Sequence, residues 1–137
     1  MKRTMLILAT LYASILIWVS WNCKDSTTGP SDITFPKTNV SFGKQVQPLF
    51  LQECAIPGCH TEDSKADAGN LSLESYGDAI MVPLVIIPKD TVNSTLVWSI
   101  EAKNGEPLMP PINTKFSLTQ NQIAGLKQWI YEGAKNN

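Results

Sequence analysis

An all-α fold is what this sequence predicts, on three observations. Where apolar residues are periodic they recur at three- and four-residue intervals, as in Ile123, Leu126 and Ile130. Residues that cap helices stand ahead of such stretches at Ser41, Asn93–Ser94 and Thr119. No alternating apolar and polar run competes as a strand.

Ser41 can cap a helix beginning at Phe42, with Val46, Leu49 and Phe50 on one apolar face before Cys54. Pro48 lacks a backbone donor inside that stretch, so the helix kinks or starts late. Residues 60–70 are polar and contain glycine, which reads as a loop. Glu74 to Met81 suits a short helix, and Val82 to Pro88 is apolar but ends in proline. Asn93 or Ser94 caps a helix carrying Leu96, Val97 and Ile100, which Asn104-Gly105 ends. Pro107, Pro110 and Pro111 forbid a regular helix over Glu106 to Ile112. The last helix has the clearest signals: Thr119 and Gln122 form a capping box, Leu118 and Ile123 a hydrophobic staple, and Gly133 marks the end.

A chain of 137 residues holds one modest domain, and 43% apolar with 17% charged residues is ordinary for a globule. Its first residues read as an address. Lys2 and Arg3 precede an uncharged apolar run from Met5 to Ser20, and Cys23 follows where a bacterial lipoprotein signal places its lipidated cysteine. Residues 1–22 are therefore a signal peptide or, on the other reading, an uncleaved membrane anchor. The 18 residues from Thr4 to Trp21 would span about 27 Å as a helix, against a hydrocarbon thickness of about 30 Å. Either way the domain is exported and tethered on the periplasmic or outer-membrane side. Residues 23–40 read as a flexible tether and 41–137 as the folded domain. Removing Lys2 and Arg3 from eleven basic residues leaves nine lysines and no arginine against twelve acids, a charge near −3. That argues against nucleic acid, whose binders need a basic face.

Cys54-Ala-Ile-Pro-Gly-Cys59-His60 carries the chemistry. Two thiols on a short loop followed at once by an imidazole suit covalent haem: the thiols take the vinyl groups and the next residue reaches the iron. Four residues separate the cysteines instead of the common two, and Pro57-Gly58 can fold the surplus into a turn. The same residues could form a disulfide across a loop in an exported protein. Structural zinc fits less well, because it needs four ligands and the mature chain offers here two thiols and one imidazole. His60 is the only histidine, so a haem iron would take its sixth ligand from elsewhere. Met109, stiffened by Pro107 and Pro110-Pro111, is favoured over Met81, which reads as core filler.

These pieces occur in one order: a helix into Cys54-x4-Cys59-His60, Gly69 to Leu73, Ile87-Pro88 to Leu96, Leu108-Met109-Pro110-Pro111, then Leu118 to Ala134. Over residues 42–134 the chain resembles the cytochrome-c-like domains of bacterial exported lipoproteins, including planctomycete-type cytochrome c. The resemblance implies a small helical domain wrapped around one covalently bound haem c. It implies that Cys54 and Cys59 carry the haem, that His60 is the proximal ligand and that Met109 is the distal one. It also implies that the N-terminal helix crosses the C-terminal helix, with Phe42 or Gly43 against the Ile123–Ile130 face and Trp129 a candidate contact. Because the mature chain lacks arginine, lysines must meet the propionates or these face water.

The expected function is electron transfer between exported redox proteins, by a carrier and not an enzyme. One alternative is a haem domain with an open or labile sixth site for gas or peroxide chemistry. Another is a haem-free, disulfide-bonded lipoprotein that acts as a binding module.

Overall fold

The computed structural model describes residues 32–137, so the leader and Cys23 lie outside the described residues. Four α-helices follow in order: α1 (Gln47–Glu53), α2 (Tyr76–Met81), α3 (Thr95–Glu101) and α4 (Gln120–Tyr131). Among the described residues there is no strand, only an isolated bridge between Ile87 and Asp90. The all-α expectation holds. None of the described helices is long and apolar enough to cross a membrane.

The kink expected from Pro48 takes a specific form. Ser41 Oγ accepts from the Lys44 N–H, and a π turn over Phe42–Val46 leads into α1. The Gln47 N–H reaches back five residues to the Phe42 carbonyl, and Pro48 then stands in the first turn of α1. A wide turn followed by an α-helix leaves the missing proline donor where none is needed. At α4 the capping box is complete: the Thr119 N–H donates to Gln122 Oε1 at 2.8 Å, and the Gln122 N–H donates to Thr119 Oγ1 at 3.3 Å. Ser75 Oγ accepts from the Asp78 N–H and starts α2, two residues later than the composition suggests.

Ser94 occupies the N-cap of α3 without capping it. Its hydroxyl donates to the Asp90 carbonyl at 2.6 Å and accepts from the Ile87 N–H at 2.9 Å, which organises the preceding loop instead. Asn93 does not cap α3 either; its side chain bonds Asp90 Oδ2. Termination of α3 comes before Asn104-Gly105, at Ala102, which takes a left-handed conformation.

Phe42, Phe50 and Trp129 make the centre of the core. The Phe42 and Trp129 rings lie 5.7 Å apart, and Phe50 meets Trp129 edge-on at 6.4 Å. This is the crossing of the N-terminal and C-terminal helical segments that the resemblance implies. Truncating an aromatic so deeply buried costs about 3–5 kcal/mol, so this contact holds the two ends of the domain together.

Residues 33–40 are not a free tether. Phe35 is buried against α4, its N–H donating to Asn121 Oδ1 at 2.7 Å and its carbonyl accepting from Asn121 Nδ2 at 3.1 Å. The N–H groups of Asn39 and Val40 donate to the two carboxylate oxygens of Glu132. The folded domain therefore begins before Ser41. The cause is polar: side chains at the two ends of α4, Asn121 and its C-cap Glu132, satisfy the backbone of residues 35–40, and Phe35 and Val40 follow into the core.

Candidate functional site

Cys54 ends α1, and the loop after it returns at once to the helix end. The Cys59 N–H donates to the Ile56 carbonyl at 2.9 Å, closing a turn with Pro57 at its second position and Gly58, at φ +84°, at its third. Proline presets the first of these conformations and glycine alone takes the second without strain. The His60 N–H then donates to the Cys54 carbonyl at 3.1 Å. The two additional residues are thus taken up in the turn, and Cys54, Cys59 and His60 line one cavity. Ser64 Oγ donates to the Cys59 carbonyl at 2.6 Å and fixes the following loop.

The imidazole is held from behind. His60 Nδ1 lies 3.2 Å from the Leu71 carbonyl, which can only accept, so the proton sits on Nδ1. The Leu73 N–H donates to the His60 carbonyl at 2.9 Å, so residues 71–73 fix both ring and backbone. This leaves the Nε2 lone pair as the free ligand position. A neutral histidine whose second nitrogen donates to a carbonyl is the arrangement that metals prefer.

Met109 arrives from the opposite part of the chain. Its N–H donates to the Ser99 carbonyl in α3 at 2.9 Å, and it lines the same cavity with Pro107, Pro110 and Pro111. Met81 does not line it and is 71% exposed, so the reading of Met81 as core filler is corrected: it ends α2 at the surface. Three of the four proposed haem-contacting residues are thus fixed by backbone hydrogen bonds from neighbouring segments, and Cys54 by the end of α1.

The cavity has a volume of about 520 Å³, within the range of sites that enclose organic ligands. Leu71, Leu73, Val85, Leu96, Ile100 and Phe116 supply much of its apolar wall. Its carboxylates are Glu53, Asp67 and Glu106, and no lysine lines it. A large apolar macrocycle carrying a metal fits both features, the greasy wall and the donor set of two thiols, one imidazole and one thioether. With no cation in the wall, propionates have no lysine partner inside the cavity. Zinc fits poorly: among the described residues no three of His, Cys, Asp and Glu gather to hold an ion.

Cys54 and Cys59 are free thiols, each half-buried. Burial pushes the Cys54 thiol up to about 12, helped by the nearby charges of Glu53 and Cys59. Cys54 therefore meets a reaction partner as a neutral S–H. Glu53 is a residue that pattern reading passes over. It is 2% exposed, Oε2 accepts from the Ser117 N–H at 3.0 Å, and Oε1 has no partner. Burial raises its pKa, and the Ser117 hydrogen bond partly opposes that. The available signal is a carboxylate standing on an apolar helix immediately before Cys54.

Residues 57–113 match the family model described as Planctomycete cytochrome C. The matched stretch contains Cys59, His60 and Met109, and leaves Cys54, α1 and α4 outside it. No curated protein and no solved structure matches the chain. The cytochrome-c-like character read from the residues is supported by this match and by the helical fold.

Proposed function

We propose that this cytochrome-c-like domain carries one haem bound covalently through Cys54 and Cys59, with His60 and Met109 as axial ligands, and passes single electrons between exported redox partners. One observation carries the reading: both thiols, the single imidazole and the proline-braced thioether line one apolar cavity, while Met81 stands away from it. When bound, the haem supplies a one-electron couple between ferric and ferrous iron. The chain's own residues set its conditions. The Leu71 carbonyl holds His60 in the tautomer that presents Nε2. The Met109 thioether would favour the ferrous state and raise the potential. The mainly apolar wall would keep reorganisation small. If His60 and Met109 both held the iron, no site would stay open for substrate, and the domain would act as a carrier.

Export and tethering complete the proposal. Residues 1–22 act as signal or retained anchor, Cys23 is the lipid attachment point if the signal is cleaved, and the tether confines the carrier near membrane partners. Confinement raises effective concentration without any additional contact.

Spectra of matured full-length protein test this. Wild type and Met81→Ala should both give low-spin ferric haem and no carbon monoxide binding in the ferrous form without denaturant. Met109→Ala should keep its pigment, turn high-spin and bind carbon monoxide. Carbon monoxide binding by wild type would favour the open-site alternative, and colourless material the disulfide-bonded one.

A further inference from the structure

We infer that Glu53 is a positioning residue for the distal thioether, latching the far end of the Met109 segment to the end of α1; the inference rests on the His60/Met109 reading above. The segment joining α3 to α4 has no regular structure and must hold Met109 across the cavity. Its attachment near the sulfur is the Met109 N–H to the Ser99 carbonyl. Beyond Met109 its hydrogen bonds are local: the Thr114 N–H and hydroxyl go to the Pro111 carbonyl, and the Phe116 N–H goes to Thr114 Oγ1. The exception is the Ser117 N–H, which donates to Glu53 Oε2 across 64 residues of sequence. Glu53, Met109, Thr114 and Phe116 all line the cavity, so this bond closes the segment over it.

A carboxyl that is almost fully buried, with one oxygen unpartnered, is costly to keep. An apolar residue would serve the wall better. What the carboxyl supplies is an acceptor for a backbone N–H whose own side chain is exposed, and so a fixed end for the loop. The Ser99 bond holds the segment at Met109 and α4 holds it from Thr119 on, while the Glu53 bond ties the stretch between them to the end of α1.

The test is displacement of the thioether from ferric, haem-loaded, full-length protein by added imidazole. It is read as loss of the long-wavelength sulfur-to-iron absorption band. Removing the bond with Glu53→Ala should let imidazole compete roughly tenfold better, the scale of one hydrogen bond to a charged or strongly polar acceptor. Ser117→Pro, which deletes the donor and leaves Glu53 in place, should do the same. Glu53→Gln should behave as wild type, because its amide oxygen accepts the same N–H. If Glu53→Ala fails to mature, Ser117→Pro and Glu53→Gln still decide the matter. An unchanged imidazole constant in Ser117→Pro, or a Glu53→Gln variant as labile as the donor deletion, overturns the latch. Met109→Ala serves as control: if it retains the absorption band, the ligand assignment fails and not the latch.

Discussion

Gly125→Ala should destabilise the domain, although alanine is the better helix former. A Cβ at position 125 would lie 2.1 Å from Phe35 Cγ, 2.2 Å from Cδ1 and 2.3 Å from Cβ, all far inside contact distance. Three ring-base atoms of a residue only 4% exposed cannot yield by a small rotation, so Phe35 must leave its seat. Losing that burial costs about 3–5 kcal/mol on the scale of Phe truncations. Replacing glycine inside a helix returns about 1 kcal/mol. The expected net loss is therefore about 2–4 kcal/mol, a large part of a small domain's stability. Urea unfolding of matured Gly125→Ala, Phe35→Gly and the double variant measures it. On the Phe35→Gly background the substitution at 125 should become neutral or stabilising, because Cβ, Cγ and Cδ1 of residue 35 are all gone. If Gly125→Ala raises the midpoint of the otherwise unchanged protein, the docking of residues 33–40 on α4 is wrong.

Glu132 and Glu53 should give stability slopes of opposite sign. Hydrogen bonds from Gln128, then from the Asn39 and Val40 N–H groups, hold the Glu132 carboxyl below its ordinary value of 4.5. A depressed folded pKa gives stability that is present above 4.5 and lost as pH falls through the lower folded value. Glu132→Gln should flatten that acid loss in urea midpoints taken between pH 3 and 6. Burial raises Glu53 above 4.5, so its proton is bound more tightly when folded, and its contribution is lost as pH rises from 4.5 through the folded value. Glu53→Gln should remove that decline. In the full chain before haem attachment, Cys54 should resist alkylation at pH 8. With its thiol pushed up to about 12, its thiolate fraction is on the order of a thousandfold below that of a free cysteine near 8.5. Rapid modification of Cys54 at that pH, mapped by peptide mass, would contradict the raised pKa of its thiol.

Much of the site was legible because its residues carry chemistry that cannot be supplied otherwise. A single histidine leaves one choice of imidazole, and proline on both sides of Met109 marks it out from Met81. The Pro57-Gly58 turn was legible for the same reason, since each residue type has one conformational use there. The Thr119–Gln122 box is local and depends on nothing distant. What escaped reading was held by partners far along the chain. Asn121 and Glu132 look like the solvated face of an amphipathic helix, and only the fold shows that they satisfy the backbone of Phe35, Asn39 and Val40. Glu53 looks like an ordinary helical carboxylate until its distant donor at Ser117 is known. Ser94 has the residue type of a cap, but its hydroxyl is better satisfied by the Asp90 carbonyl. Local signals place elements; backbone groups that need remote partners set the rest.

The central claim is that two thioethers join one haem to this chain. Intact mass of the protein made with haem-attachment machinery, with peptide mapping of positions 54 and 59, tests it most directly. The account predicts the mass of the chain plus one haem, with neither cysteine open to alkylation after the chain is unfolded in denaturant. The mass of the bare chain, with Cys54 and Cys59 both alkylatable or bonded to each other, would contradict it.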